Sequence, residues 1–264
     1  MTAPVAGLPM YDWPEVRGAW DALWTAIAGA LRAAGHPAPD ALDRDLPLED
    51  LWTHPALALA QTCGLPFVRG LRGRTALVGT PDFAVPGCPP GWYRSALVVR
   101  AADDRGDLRA FRGARLAVNG AGSQSGAQAM MHELHAAGVS GRFFAEVLLT
   151  GAHEAGAAAV AGGRADIAAI DWISWRLVRA HRAYAEDLRV LARTAPAPGL
   201  PLIAAGTGAA EPSRTEAVAA GIAAAPAAAA ALGLAGLVRT RPEDYDLLAA
   251  RDASGRALSA AHGL

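Results

Sequence analysis

The sequence predicts an α/β fold in which mainly parallel strands alternate with helices. Short apolar runs are separated by segments of helical spacing, and Gly, Pro and capping residues mark the turns between them. Of the 264 residues, 52% are hydrophobic and 19% charged, which allows a sizeable core and argues against disorder.

In chain order, Val5–Pro9 reads as the first strand. A helix follows, with Asp12 as its cap, Pro14 in its first turn and Glu15 completing a capping box. Its apolar residues Trp20, Leu23, Trp24, Ile27 and Leu31 keep helical spacing, and Gly35 ends it. Leu48–Trp52 and Pro55–Gln61 read as short helices, and Thr75–Val78 and Leu97–Arg100 as strands. Gly79–Gly91 is too rich in Pro and Gly to be either element. A second series then runs strand Arg115–Asn119, helix Gln124–Ala137 closed by Gly138, strand Glu146–Leu149, helix His153–Ala161, strand Ala165–Ile170 and helix Trp172–His181. Leu188–Ala192 is a further strand and Thr194–Pro201 a linker; the remainder reads as Ala-rich helix with one short strand at Leu202–Ala205.

Several function classes are set aside by composition. Formal net charge is −1 and no stretch concentrates Lys or Arg, so a nucleic-acid surface is not expected. Neither Cys63 nor Cys88 has metal-ligand spacing around it; the two either pair or are reduced core residues. No metal and no cofactor is expected. No segment approaches the roughly 18 apolar residues of a membrane span. The N-terminal segment Met1-Thr2-Ala3-Pro4 has no basic, apolar leader pattern. A true start at Met1 implies a cytoplasmic chain, and a signal peptide upstream a periplasmic one.

The chemistry concentrates in Asn119-Gly120-Ala121-Gly122-Ser123-Gln124-Ser125-Gly126, where a strand enters a small polar turn and a helix begins at once. The first amides of a helix lack internal partners and the helix dipole adds partial positive charge, so such a turn favours an anion. Ser123 and Ser125 add hydroxyls; the alternative is that either serine is only an N-cap. The run fits neither a Gly-x-Ser-x-Gly nucleophile elbow nor a dinucleotide fingerprint, since Ser125 stands where the third glycine is required. His153 opens a helix directly after a strand, and Asp171 ends one; residues past strand C-termini line ligand crevices in open α/β sheets. The alternatives are a helix-capping histidine and an N-cap aspartate. Tyr11 and Tyr93 are either ligand walls or core aromatics.

With these residues in view, the chain resembles the phosphonate/phosphite-binding branch of the type II periplasmic binding proteins, the solute-binding components of ABC importers for phosphonate, phosphite or phosphate. The resemblance runs in order through Leu8–Asp12, Gln61–Pro66, Gly91–Ser95, Ser123–Gly126, Gly151–Glu154 and Gly163–Ala168. It implies two lobes, each a mainly parallel sheet flanked by helices, with residues 97–192 inserted as lobe 2 into a lobe 1 made of 1–96 and 193–264, and the ligand cleft between them. It further implies that Ser123, Gln124, Ser125, Gly126, His153, Asp171 and Tyr93 bind a small anion, with Tyr11 placed by its position after the first strand. Gln124 stands where such proteins carry a small hydroxyl residue. An ABC permease is the implied partner. The competing expectations are an enzyme of the same fold using His153 and Asp171 as acid and base, and a ligand sensor.

Overall fold

The computed structural model describes residues 3–264; Met1 and Thr2, the start of the N-terminal segment read above, lie outside them. The chain forms two compact units, the first made of residues up to Trp92 and Pro198–Asp246, the second of Tyr93–Ala197 and Leu247–Leu264.

In the first unit, Val5–Gly7 lies parallel to Leu57–Gln61. Leu202–Ala205 then pairs antiparallel with both Leu57–Gln61 and Thr75–Asp82. The outer edge of Thr75–Asp82 is shared by Gly208–Ala209, parallel, and Gly236–Val238, antiparallel. The helix Arg17–Ala33 buries Trp20, Leu23, Trp24, Ile27 and Leu31, the face its spacing predicts. Gly35 at φ 83° turns the chain out of it, with the His36 amide donating to the Leu31 carbonyl at 2.9 Å.

The second unit carries a five-stranded sheet. Arg115–Val118 is its parallel centre, between Glu146–Leu149 and Ile167–Asp171. These are the strands joined through helices Ala129–Ala136 and His153–Ala161, which supply the long crossovers that parallel pairing requires. Ser95–Arg100 runs antiparallel beside Ile167–Asp171 and pairs on its other side with Leu188–Arg193. Both sheets are therefore mixed, with antiparallel strands where the expectation was mainly parallel ones. At the N-terminal end of the parallel strands, Asp166 ties the sheet together: it accepts from the Arg115 amide at 2.9 Å and side chain at 2.9 and 3.1 Å, and from Arg100 at 3.2 Å. Those guanidinium bonds hold its carboxyl far below the usual carboxylate range.

Several expectations need correction. Pro55–Gln61 is not a helix: Leu57–Gln61 is a strand buried at every position, and such a continuous apolar run carries no period-2 signal. Asp12 does not cap the first helix, which starts at Arg17 after Val16. Its carboxylate instead takes Arg44, at 2.5 Å, and the same guanidinium reaches Asp21 at 2.7 Å. Gly79–Asp82 continues a strand, held at its edge by Gly236–Val238. The helix expected from Gln124 opens with a wider π-type turn, Gln124–Gln128, before the regular helix Ala129–Ala136. The C-terminal stretch is three helices, not one run, and it does not all belong with the first unit. Leu258, in the helix Asp246–Ala261, sits in the core cluster of the second unit with Leu116, Met130, Met131, Leu134, Phe143 and Phe144. That burial draws Leu247–Leu264 away from the 193–264 segment to which the sequence layout assigned it. No disulfide joins Cys63 and Cys88.

Candidate anion-binding site

The serine turn is built where the central strand Arg115–Val118 ends. Gly126 packs closely there: a Cβ on it would stand 2.2 Å from Asn119 Oδ1, so the Asn119 side chain would have to move. Ser123 is the N-cap, its Oγ accepting from the Gly126 amide at 3.1 Å. The Gln128 amide donates five residues back to the Ser123 carbonyl at 3.1 Å, which widens this first turn. Ser123, Gln124, Ser125 and Gly126 are all buried.

His153 reaches the turn from the neighbouring strand–helix junction. Gly151 at φ 80° reverses the chain after Glu146–Leu149, and the helix His153–Ala161 then starts on His153 itself. Its Nε2 lies 2.8 Å from Ser125 Oγ. On the other side of the ring, the Asp171 amide donates to Nδ1 at 3.4 Å. The ring's tautomer sets the direction of the bond to Ser125: with the proton on Nε2 the imidazole donates to Ser125, and with the proton on Nδ1, towards the Ala169 backbone, Ser125 donates to Nε2. Burial pushes the His153 pKa down to about 4, against a smaller opposing pull from the Ala169 backbone. The ring is therefore neutral at physiological pH.

Asp171 is an N-cap: its Oδ1 accepts from the Ile173 and Ser174 amides at 2.8 and 3.1 Å, opening the helix Trp172–His181. Its backbone amide is the group that meets His153. Tyr93 is buried in the second unit, two residues before Ser95. Tyr11 belongs to the first unit, where it packs edge-on against Phe83 with ring centroids 5.2 Å apart and its carbonyl accepts from the Trp20 indole at 3.0 Å. The structure thus brings Ser123, Gln124, Ser125, Gly126, His153 and Asp171 to one end of one sheet.

Sequence reasoning missed two supporting residues. Ser95 Oγ donates to the Ser125 carbonyl at 2.7 Å, and Thr194 Oγ1 accepts from the Ser95 amide at 2.9 Å. Ser95 was legible only as part of the Gly91–Ser95 motif; its register opposite Asp171 is what gives it a role. Among the described residues, no group of three His, Cys, Asp or Glu side chains is placed to hold a metal, and no single helix is long and apolar enough to cross a membrane. The site offers neutral hydroxyl and imidazole donors at a helix start, an arrangement suited to an anion.

Comparisons with known proteins give the family and the fold. Residues 66–245 match the family described as ABC transporter, phosphonate, periplasmic substrate-binding protein. No curated protein matches the sequence. Among solved structures, the fold is similar to PhnD1 from Prochlorococcus marinus in complex with methylphosphonate, with a TM-score of 0.74 at 14% identity over 97% of this chain and 98% of that one. It is similar to a binding-protein component of an ABC phosphonate transporter from Pseudomonas aeruginosa, with a TM-score of 0.72 at 15% identity over 98% and 89% of the two chains. XAC2383 from Xanthomonas citri bound to ATP gives a TM-score of 0.69 at 18% identity over 99% of both chains. These neighbours carry the two-lobed type II periplasmic-binding-protein fold. The family match covers well over half of the chain and reaches from the first unit through the whole serine turn and His153, so the protein belongs to the phosphonate-binding family of ABC-transporter periplasmic substrate-binding proteins.

Proposed function

We propose that the chain binds a small oxyanion, a phosphonate, a phosphate or a group of like shape, at the Ser123–Gly126 turn and delivers it to an ABC permease. The observation that carries this reading is the Ser125–His153 pair at 2.8 Å on a helix start. With the ring proton on Nε2, it presents a hydroxyl donor whose own acceptor need is met by the imidazole, beside amides that no earlier helical turn engages. Gln124 gives this turn an amide side chain in place of a third hydroxyl, so the head group it prefers is one that accepts from a longer donor. Catalysis by His153 is not favoured: with a pKa of about 4 it is a weak base at neutral pH.

A thermal-shift titration with phosphate, phosphite and methylphosphonate tests the reading on the full chain and on Ser125→Ala. Ligand binding raises Tm in proportion to RT ln(1 + [L]/Kd). The wild type is expected to respond to at least one of the three, and the variant to need a higher concentration for the same rise. Removing a hydroxyl that donates to a charged acceptor costs about 1.5–3 kcal/mol, roughly tenfold to a hundredfold in Kd. Identical curves for the two proteins take the turn out of the site.

A further inference from the structure

The first unit contains an apolar pocket with one cation in its wall. A cavity of about 160 Å³ is bounded by Pro4, Pro37, Ala56, Ala58, Ala205 and Arg214. It lies at the starts of strands Val5–Gly7 and Leu57–Gln61 and at the end of the antiparallel Leu202–Ala205, which is the sheet edge opposite to Gly7 and Gln61. Every residue around it except Arg214 is apolar.

Arg214 sits in the first turn of the helix Pro212–Ala224. Its Nη1 donates to the Ala58 carbonyl at 2.9 Å, and among the described residues no carboxylate forms an ion pair with it. Glu211 acts on it only at longer range, and burial lowers its pKa from the usual arginine value. A partly desolvated guanidinium is normally matched by an anion, because burying an unpaired charge is costly. The wall beside it is held in place: the His36 ring bonds Ser213 Oγ at 3.0 Å, tying the Pro37 loop to the helix start.

We propose that this cavity binds a short-chain monocarboxylate, its carboxylate on Arg214 and its alkyl chain against Pro4, Pro37 and Ala56. One cation matches one negative charge, the planar guanidinium fork matches two carboxylate oxygens, and the apolar walls match a few methylene groups. The cavity is lined by residues of the first unit alone, and the serine turn belongs to the second.

Calorimetric titration of the full chain with propionate and butyrate is the test, run on wild type, Arg214→Gln, Ala56→Leu and Ser125→Ala. Ala56→Leu fills the cavity with the guanidinium intact, and decides the question if Arg214→Gln does not fold. Butyrate is expected to bind the wild type and Ser125→Ala alike, and to bind Arg214→Gln and Ala56→Leu about tenfold more weakly or worse. The proposal is overturned if the wild type binds neither acid, if the two cavity variants bind as the wild type does, or if Ser125→Ala is the variant that loses binding.

Discussion

On the proposed reading, Ser125 and His153 are a neutral pair that serves an anion. An arginine in this turn would bind charge more strongly but would itself need a partner in the empty state; a hydroxyl and an imidazole satisfy one another, and with the ring proton on Nε2 they still leave a donor. The same burial makes His153 a pH liability. Its folded-state pKa of about 4 lies below the roughly 6.5 expected of an unfolded histidine, so between those values the unfolded chain takes up a proton that the folded chain refuses. Stability contributed by the neutral ring is complete above pH ~6.5 and falls as pH drops towards 4. Urea denaturation at pH 7 and pH 4.5 should show that loss in the wild type and a smaller one in His153→Gln; an equal loss in both would place the acid sensitivity elsewhere.

Elements decide which of these residues meet. Strand, small polar turn and immediate helix are all written locally, which is why Ser123–Gly126 and His153 could be picked out before any coordinates. Ser95 and Thr194 could not: they are 99 residues apart in sequence and act through the pairing of Ser95–Arg100 with its two neighbours. Leu57–Gln61 was misread for a related reason, since a strand buried on both faces looks like any other Ala- and Leu-rich run. Asp12 shows the converse. Its place before Pro14 and Glu15 reads as a cap, yet the helix begins only at Arg17 and the carboxylate pairs with Arg44 instead. Within the turn, the close approach of Asn119 to Gly126 makes a sharp prediction. Gly126→Ala forces the Asn119 side chain to move and should cost about 1–3 kcal/mol in chemical denaturation, with anion affinity reduced as the turn shifts. A variant as stable and as tight-binding as the wild type would show that the turn has more room than its geometry allows.

At the scale of the whole molecule, the chain does not divide as one insertion into a continuous host. Its last helix leaves the first unit after Asp246 and completes the core of the second, where Leu258 is almost fully buried. An Ala-rich helix carries no sequence mark of which sheet it covers, so this assignment was not readable from periodicity. Leu258→Ala should therefore destabilise by about 2–5 kcal/mol. Hydrogen exchange should show the loss of protection in strands Arg115–Val118 and Ile167–Asp171 more than in Leu57–Gln61. Loss confined to the first unit's strands would contradict the placement of the C-terminal helix.

A crystal structure of the full chain grown with methylphosphonate tests the central claim most directly. The result expected is a phosphonate head within hydrogen-bond distance of Ser125 Oγ and the amides that open the Gln124–Gln128 turn. A head group bound in the crystal at any place other than the Ser123–Gly126 turn would contradict it.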